Sequence, residues 1–317
     1  MGLQEKKNRK VLAIVGATAS GKTPLSLLLA EMLNAEIISA DSRQVYRFLD
    51  IGTAKPSKEE LGRTRHHFIN LLNPDEEYNA AMYSVEARST IEQLLEQGKT
   101  PIIVGGSGLY IKSIMDGFFD GPGKDENVRK NLEHELKRDG LQALLRRLQE
   151  IDPETHSTIE AGKPRRVIRA LEVYEQTGKP ISYWKRMQTA NATFEVVQIG
   201  MDWSREELYR NINARSVSMI ERGLMEEAAS LLARGYKRDL NSFNTVGYKE
   251  AFDLLVGKIS RARMVELVQQ NTRRYAKRQL TWFRADNRIA WYPMKKFSDL
   301  SKVAKAILHD QPFLTSN

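Results

Sequence analysis

The stretch VLAIVGATASGKTPLSLLLAEML, residues 11–33, leaves the chain few folds to choose from. Val11 to Val15 read as a buried strand, a loop of small residues follows, and a helix-period run begins behind it. Gly16, Gly21, Lys22 and Thr23 fit G-x-x-x-x-G-K-[ST] without a mismatch. Glycines there let the backbone curl until successive N–H groups converge on one point, an anion nest. The helix behind adds the positive end of its dipole. Lys22 supplies a point charge, the Thr23 hydroxyl is a ligand for Mg²⁺, and Pro24 falls in the first helical turn, where a missing N–H does no harm. A glycine-rich turn that binds nothing is the alternative; the strand before it and the helix after it argue against that. Gly16, Ala17, Thr18, Ala19, Ser20, Gly21, Lys22 and Thr23 are therefore expected to hold a diphosphate or a triphosphate, whether or not a nucleotide carries it.

Two further strand–loop units resemble the first. AEIISADSRQVY has an apolar strand around Ile37 and Ile38 that ends at Asp41, and TPIIVGGSGLYIKSI has one at Ile102–Val104 that runs into Gly105, Gly106, Ser107 and Gly108. Between them NAAMYSVEARSTIEQLLEQG reads as a helix stopped by Gly98. Such alternation predicts α/β architecture, a P-loop parallel sheet flanked by helices. Ligands of these sheets bind beyond the carboxyl ends of the strands, where the first loop, Asp41 and Ser107 all fall. After DGFFDGPGKD the pattern changes to charged helices without strands, until FEVVQIGMDW restores a strand. The reading is a core of residues 1–120 and 198–317 with a small all-helical insertion domain at 121–197. Helices are expected over Ser204–Gly235 and Ser260–Arg284, a last strand at RIAWYP and a terminal helix in SDLSKVAKAIL.

Composition removes whole classes of chemistry. There is no cysteine among the 317 residues, which excludes disulfides, thiol catalysis and Cys-ligated zinc. No apolar run approaches membrane-span length, and the basic N-terminus is not followed by a signal-type hydrophobic segment, so a cytoplasmic protein is expected. Lys and Arg number 49 against 40 Asp and Glu, a net +9 that suits a polyanionic partner.

Asp41 carries the next most chemistry. One strand away from a phosphate nest, a carboxylate holds Mg²⁺ or accepts a proton from an attacking nucleophile; an ordinary turn or capping residue is the bland alternative. Ser42, Arg43 and Gln44 beside it are polar enough to read an incoming substrate. In GGSGLY the glycines permit close backbone approach, and Ser107 can donate to a phosphate oxygen. His66 and His67 are adjacent, share no helix face and have no evident third ligand, so packing or a polar contact is expected of them rather than a metal. Lys163, Arg165, Arg166 and Arg169 form one basic cluster. Arg273, Arg274, Lys277, Arg278, Arg284 and Arg288 form another, interleaved with Tyr275, Trp282 and Phe283. Basic groups grip phosphates while aromatics stack on splayed bases; a solvated charged face is the competing reading of each.

Taken together the motifs resemble those of the tRNA dimethylallyltransferases, which prenylate an adenine beside the anticodon. GATASGKT, ADSRQVYRFLDIGTAKP, HHFINLLNP, GGSGLYIKSI, KPRRVIRALEVYEQTGKP, NTVGYKEA and KRQLTWFR occur in the family's order from about Lys10 to Arg284. The resemblance implies that the first loop cradles dimethylallyl diphosphate rather than ATP, with Mg²⁺ on Thr23. It implies that Asp41 takes the proton of the adenine's exocyclic amine, that Ser107 contacts the transferring group's oxygens, and that Arg215 steadies the diphosphate. It assigns tRNA contacts to Asp41, Ser42, Arg43 and Gln44; to Arg129; to Arg165, Arg166, Val167, Ile168 and Arg169; to Thr245, Val246, Gly247, Tyr248, Lys249 and Glu250; and to Lys277, Arg278, Gln279, Leu280, Thr281, Trp282, Phe283 and Arg284. The adenine would flip into a channel, with the insertion domain and the KRQLTWFR helix holding the anticodon arm. A monomer is expected. Ala17 stands where the family usually has proline and Ser107 where it usually has threonine; neither removes a ligand. The rival readings are a P-loop kinase of a small metabolite or nucleotide, a prenyltransferase of free adenine nucleotide, and a non-catalytic RNA-binding protein. All three leave some of the motifs idle.

Overall fold

The computed structural model describes residues 9–117, 121–159, 162–187 and 192–315. Strand β1 (Arg9–Val15) is buried at every position from Val11 to Val15, with no alternation of buried and exposed residues. That is the signature of a strand covered on both faces. It pairs in parallel with β4 (Pro101–Gly105) on one side and β5 (Phe194–Trp203) on the other. Strand β2 (Glu36–Ser39) adds outside β4, β3 (His66–His67) outside β2, and β6 (Ile289–Met294) outside β5. The sheet order is β3-β2-β4-β1-β5-β6 and every pairing is parallel. The expected α/β class and parallel sheet are observed. The two-residue β3 was not legible. It is too short for periodicity, and His67 earns its place through an Nε2 contact of 2.7 Å to Glu36 Oε2.

Helix α1 (Lys22–Leu33) leaves the first loop, and α2 (Lys58–Arg63), α3 (Ala80–Glu96) and α4 (Gly108–Asp116) complete the first half of the core. Tyr83, Ala87, Ile91 and Leu94 of α3 are buried at three- and four-residue spacing, the stripe of a helix laid on a sheet. The large core cluster joins Leu12, Ile14, Ile102 and Ile199 of the strands to Leu25 and Leu29 of α1.

Residues 116–191 form a separate compact unit. Its helices are α5 (Glu126–Ile151), α6 (Pro153–Thr158), α7 (Pro164–Thr177) and α8 (Ile181–Met187). Gly140, at φ 77°, breaks α5 into two segments, and Leu132, Leu144, Leu148, Val167, Leu171 and Val173 supply a core of its own. The C-terminal limit differs from the expected 197. Phe194 to Val197 pair with Arg9 to Leu12, so the returning core strand starts inside the segment assigned to the insertion. FEVVQIGMDW is a strand from Phe194, as its sequence reads, and only the boundary drawn within it falls too late.

The chain then adds α9 (Arg205–Glu221), α10 (Leu224–Ala233), α11 (Tyr248–Leu255), α12 (Arg261–Arg284) and α13 (Leu300–Asp310) to the core. No helix among the described residues is long and apolar enough to cross a membrane.

Candidate active site

The loop at Gly16–Thr23 sits at the carboxyl end of β1 and curls as its sequence requires. Gly21 takes φ 93°, and a Cβ on it would lie 3.0 Å from the ring of Phe297, so both conformation and space call for glycine. Ala19 is held at φ 60°, an uncommon setting for a residue with a side chain. Trp203 Nε1 donates to the Ser20 carbonyl at 2.9 Å and anchors the loop from β5. The Ser20 hydroxyl is buried and has no hydrogen-bond partner among the described residues. A buried orphan hydroxyl inside a phosphate-type loop is what an oxyanion ligand would satisfy.

The charges around the loop are mostly positive. Lys22 Nζ donates to the Ala17 carbonyl at 2.5 Å. Its ammonium is enclosed although the residue keeps some surface, and burial first, then Arg215, brings its pKa down to about 7, with Asp41 acting the other way. The Arg215 guanidinium, from α9, is enclosed as well, and burial lowers its pKa while Asp41 opposes. Two enclosed cations therefore share one carboxylate. Asn211, one turn before Arg215 on the same helix face, leaves its buried Nδ2 without a partner. Such a set of donors favours an anion carrying more than one negative charge.

Asp41 lies beyond the end of β2. Its Oδ1 accepts the Arg43 N–H at 2.8 Å and the Gln44 N–H at 3.4 Å, which leaves the carboxylate capacity for a further donor. Ser107, beyond β4, accepts the Ser42 N–H at 3.1 Å through its hydroxyl, so the two strand-end loops are hydrogen-bonded to each other. They open onto a cleft of about 410 Å³ lined by Arg43, Ser107, Tyr110, Tyr275, Arg278 and Trp282. Burial raises the pKa of both the Tyr110 and Tyr275 phenols, which remain protonated.

The geometry is that of an anion cradle beside a carboxylate and an aromatic, basic cleft, and the chain that builds it is similar to known proteins along nearly its whole length. The model of the family described as IPP transferase matches residues 44–286. The chain belongs to the IPP transferase family. It is 44% identical over 304 residues to the tRNA dimethylallyltransferase of Pelotomaculum thermopropionicum, covering 96% of each chain. It is 43% identical over 298 residues to that of Thermotoga maritima, covering 94% of this chain and 96% of the other. A full-length tRNA isopentenylpyrophosphate transferase from Bacillus halodurans superposes with TM-score 0.70 at 38% identity, over 97% of this chain and 98% of that one. A eukaryotic dimethylallyltransferase acting on tRNA superposes with TM-score 0.83 at 27% identity, over 98% of this chain and 80% of that one.

Within this IPP transferase the expected tRNA-contacting residues divide sharply. Arg165, Arg166, Lys249, Lys277, Arg278, Thr281, Trp282 and Arg284 are exposed, Arg284 with an ion pair to Asp202 at 3.0 Å. The others have their side chains engaged within the protein. Val167 and Ile168 are core residues of the helical unit. Arg129 and Arg169 both bind the fully buried Glu172, each at 2.9 Å, and neutralise it. Tyr248 is 0% exposed and donates its hydroxyl to Glu227 at 2.6 Å. Glu250 is buried and accepts from the Gly247 N–H and from Asn271. Gly247 itself is buried at φ 105°, capping α11, and the Thr245 hydroxyl donates to the Ser242 carbonyl. Val246 and Leu280 are half-buried, Leu280 packing on the main core. Phe283 and Gln279 are buried. Gln279 accepts the Thr18 N–H, so that amide is withdrawn from the nest in which it was expected. Ser42, Arg43 and Gln44 stay partly accessible, although Arg43 donates to the Asn241 carbonyl and Gln44 to those of Thr53 and Ala54.

Sequence reading missed Glu227 altogether. Its Oε2 accepts the N–H groups of Asp50 and Ile51 at 3.0 and 2.8 Å, and its Oε1 accepts that of Gly52 at 3.0 Å. It thereby closes the loop that starts at Asp41. Lys55, 8% exposed, ties the same loop from within through Tyr46, Asp50 and Asn70. The only local hint was the acidic first turn of α10, which helices commonly have.

Proposed function

We propose that this IPP transferase moves a dimethylallyl group from dimethylallyl diphosphate to the exocyclic N6 of the adenine 3′ to the anticodon in tRNA, releasing diphosphate. The observation that carries the reading is the enclosed pair Lys22 and Arg215 beside the Gly16–Thr23 loop, within electrostatic reach of Asp41. The cations and backbone donors stabilise the charge that collects on the departing diphosphate. As the allylic C–O bond breaks, the oxygen keeps the electron pair. The amine nitrogen forms the new C–N bond, and its surplus proton passes to the Asp41 carboxylate, which has room to accept it. Ser107 fixes the Asp41 loop through Ser42 and presents its hydroxyl to the oxygens of the departing diphosphate. Thr23 fits Mg²⁺ through its hydroxyl, since Mg²⁺ takes few protein ligands when phosphate oxygens complete its shell. Bound there, the ion would neutralise diphosphate charge. Lys277, Arg278 and Trp282 on α12, and separately Arg165 and Arg166 on α7, supply exposed basic and aromatic surface for tRNA. A tRNA substrate suits a cytoplasmic reaction, and a monomeric enzyme completes the proposal.

The deciding experiment incubates the protein with labelled dimethylallyl diphosphate and unmodified tRNA, then digests the RNA. Label on N6-dimethylallyladenosine is the expected result. Transfer of a terminal phosphoryl group from ATP to any acceptor, with no label in the RNA, would overturn the reading in favour of a kinase.

A further inference from the structure

We propose that Gln279 is a positioning residue that sets the diphosphate cradle by fixing the plane of the Ala17–Thr18 peptide, and through it the place of Lys22. The inference rests on the reading of the Gly16–Thr23 loop as the diphosphate site. Gln279 belongs to α12, one residue after the exposed Arg278, yet it is only 7% exposed. Its Oε1 accepts the Thr18 N–H at 2.8 Å and its Nε2 donates to the Gly106 carbonyl at 2.9 Å. One amide thus locks the loop after β1 to the loop after β4. The approach is close enough that a Cβ on Gly106 would lie 2.2 Å from Nε2, so the glycine there accommodates this glutamine.

The Thr18 N–H and the Ala17 carbonyl are two ends of one planar trans peptide and point in opposite directions. Gln279 holds the N–H end. The carbonyl end accepts Lys22 Nζ at 2.5 Å. A peptide turned about its flanking bonds would swing that carbonyl away from the ammonium and release the Thr18 N–H into the cradle. Glutamine suits the task because it presents an acceptor and a donor at once, which an ionised carboxylate or an apolar side chain cannot. Its side chain takes no direct part in binding tRNA.

The test titrates inorganic pyrophosphate, and separately tRNA, into the full-length wild type, Gln279→Leu, Gln279→Glu and Lys22→Ala by calorimetry. In Gln279→Leu pyrophosphate affinity is expected to fall about tenfold, the effect of losing one or two buried hydrogen bonds, while tRNA affinity stays within about twofold. In Gln279→Glu the protonated carboxyl group repeats the donor and acceptor of the amide. The ratio of wild-type to variant pyrophosphate affinity should therefore shrink at least about threefold from roughly pH 8 to pH 5.5, as the new carboxylate takes up its proton. Titration of pyrophosphate itself cancels in that ratio. Wild-type pyrophosphate affinity in Gln279→Leu, with Lys22→Ala defective, overturns the inference and leaves the site reading standing. Normal binding in Lys22→Ala overturns the site reading. Should Gln279→Leu not fold, a pH-independent ratio in Gln279→Glu overturns the inference alone.

Discussion

Two loops of this molecule offer backbone N–H groups to an anion, one by its observed contacts and one by its sequence motif, and they are finished in opposite ways. At Asp50–Gly52 the three amides converge on Glu227, a carboxylate from 175 or more residues downstream, and Tyr248 adds a fourth donor to the same oxygens. At Gly16–Thr23 no carboxylate hydrogen-bonds to the loop among the described residues, and the charges at hand are the cations of Lys22 and Arg215. An internal anion freezes the first loop into scaffold. An excess of positive charge, two cations against the one carboxylate of Asp41, keeps the second poised for an external anion. Identical backbone chemistry therefore yields structure in one place and a binding site in the other, and the neighbouring side chains decide which.

The comparison can be broken at several points. The largest effect is expected of Asp41→Ala, since this carboxylate is the proposed general base. Loss of a general base should slow a single turnover by about 10²–10⁴-fold while tRNA binding persists, read by rapid-quench transfer of labelled dimethylallyl. A near-normal rate would strip Asp41 of the role. Lys22→Ala should weaken pyrophosphate binding by about 10²-fold, the scale of a lost charge-assisted contact; unchanged calorimetric affinity would place the diphosphate elsewhere. Glu227→Ala orphans three amides and a phenol, so denaturant unfolding should report a loss of about 2–4 kcal/mol. Pyrophosphate affinity should change little, because the two loops have separate anions; a parallel loss would show that they are one unit.

The cost of enclosing the Lys22 cation is measurable too. Burial lowers the Lys22 pKa from 10.5 to about 7, so the unfolded chain holds a proton there that the folded protein gives up between those values, and stability tied to this residue rises with pH across that interval. Lys22→Met should accordingly raise the melting temperature by roughly 2–4 °C below neutral pH, with the gain shrinking toward pH 10. A pH-independent gain would mean that folding does not lower the pKa of this lysine. The smallest effect belongs to Arg278→Glu: the slope of log affinity for tRNA against log salt should flatten by about one.

What was legible in the chain was what local pattern can encode. The first loop needs only its own eight residues and the helix behind it, and β1, β2 and β4 announce themselves as short apolar runs ending at polar or glycine-rich turns. Asp41 and Ser107 could be placed together because parallel strands deliver their carboxyl ends to one edge. Most of the failures share a cause, which is partners distant in sequence. Gln279 stands within a basic helix and reads as surface, yet its partners are 261 and 173 positions away. Tyr248 and Glu250 sit in a conspicuous motif, and their side chains hold Glu227 and Asn271 rather than facing outward. Arg129 and Arg169 look like free cations until Glu172 is found between them.

The order of the strands has a consequence for synthesis. β1 sits between β4, which the ribosome delivers about ninety residues later, and β5, which emerges only after the whole of residues 116–191. The helical unit, with its local contacts, is complete while the sheet still lacks two of its six strands. One flank of the nascent β1 thus waits bare through most of translation, a window in which a chaperone or a misplaced strand competes for it.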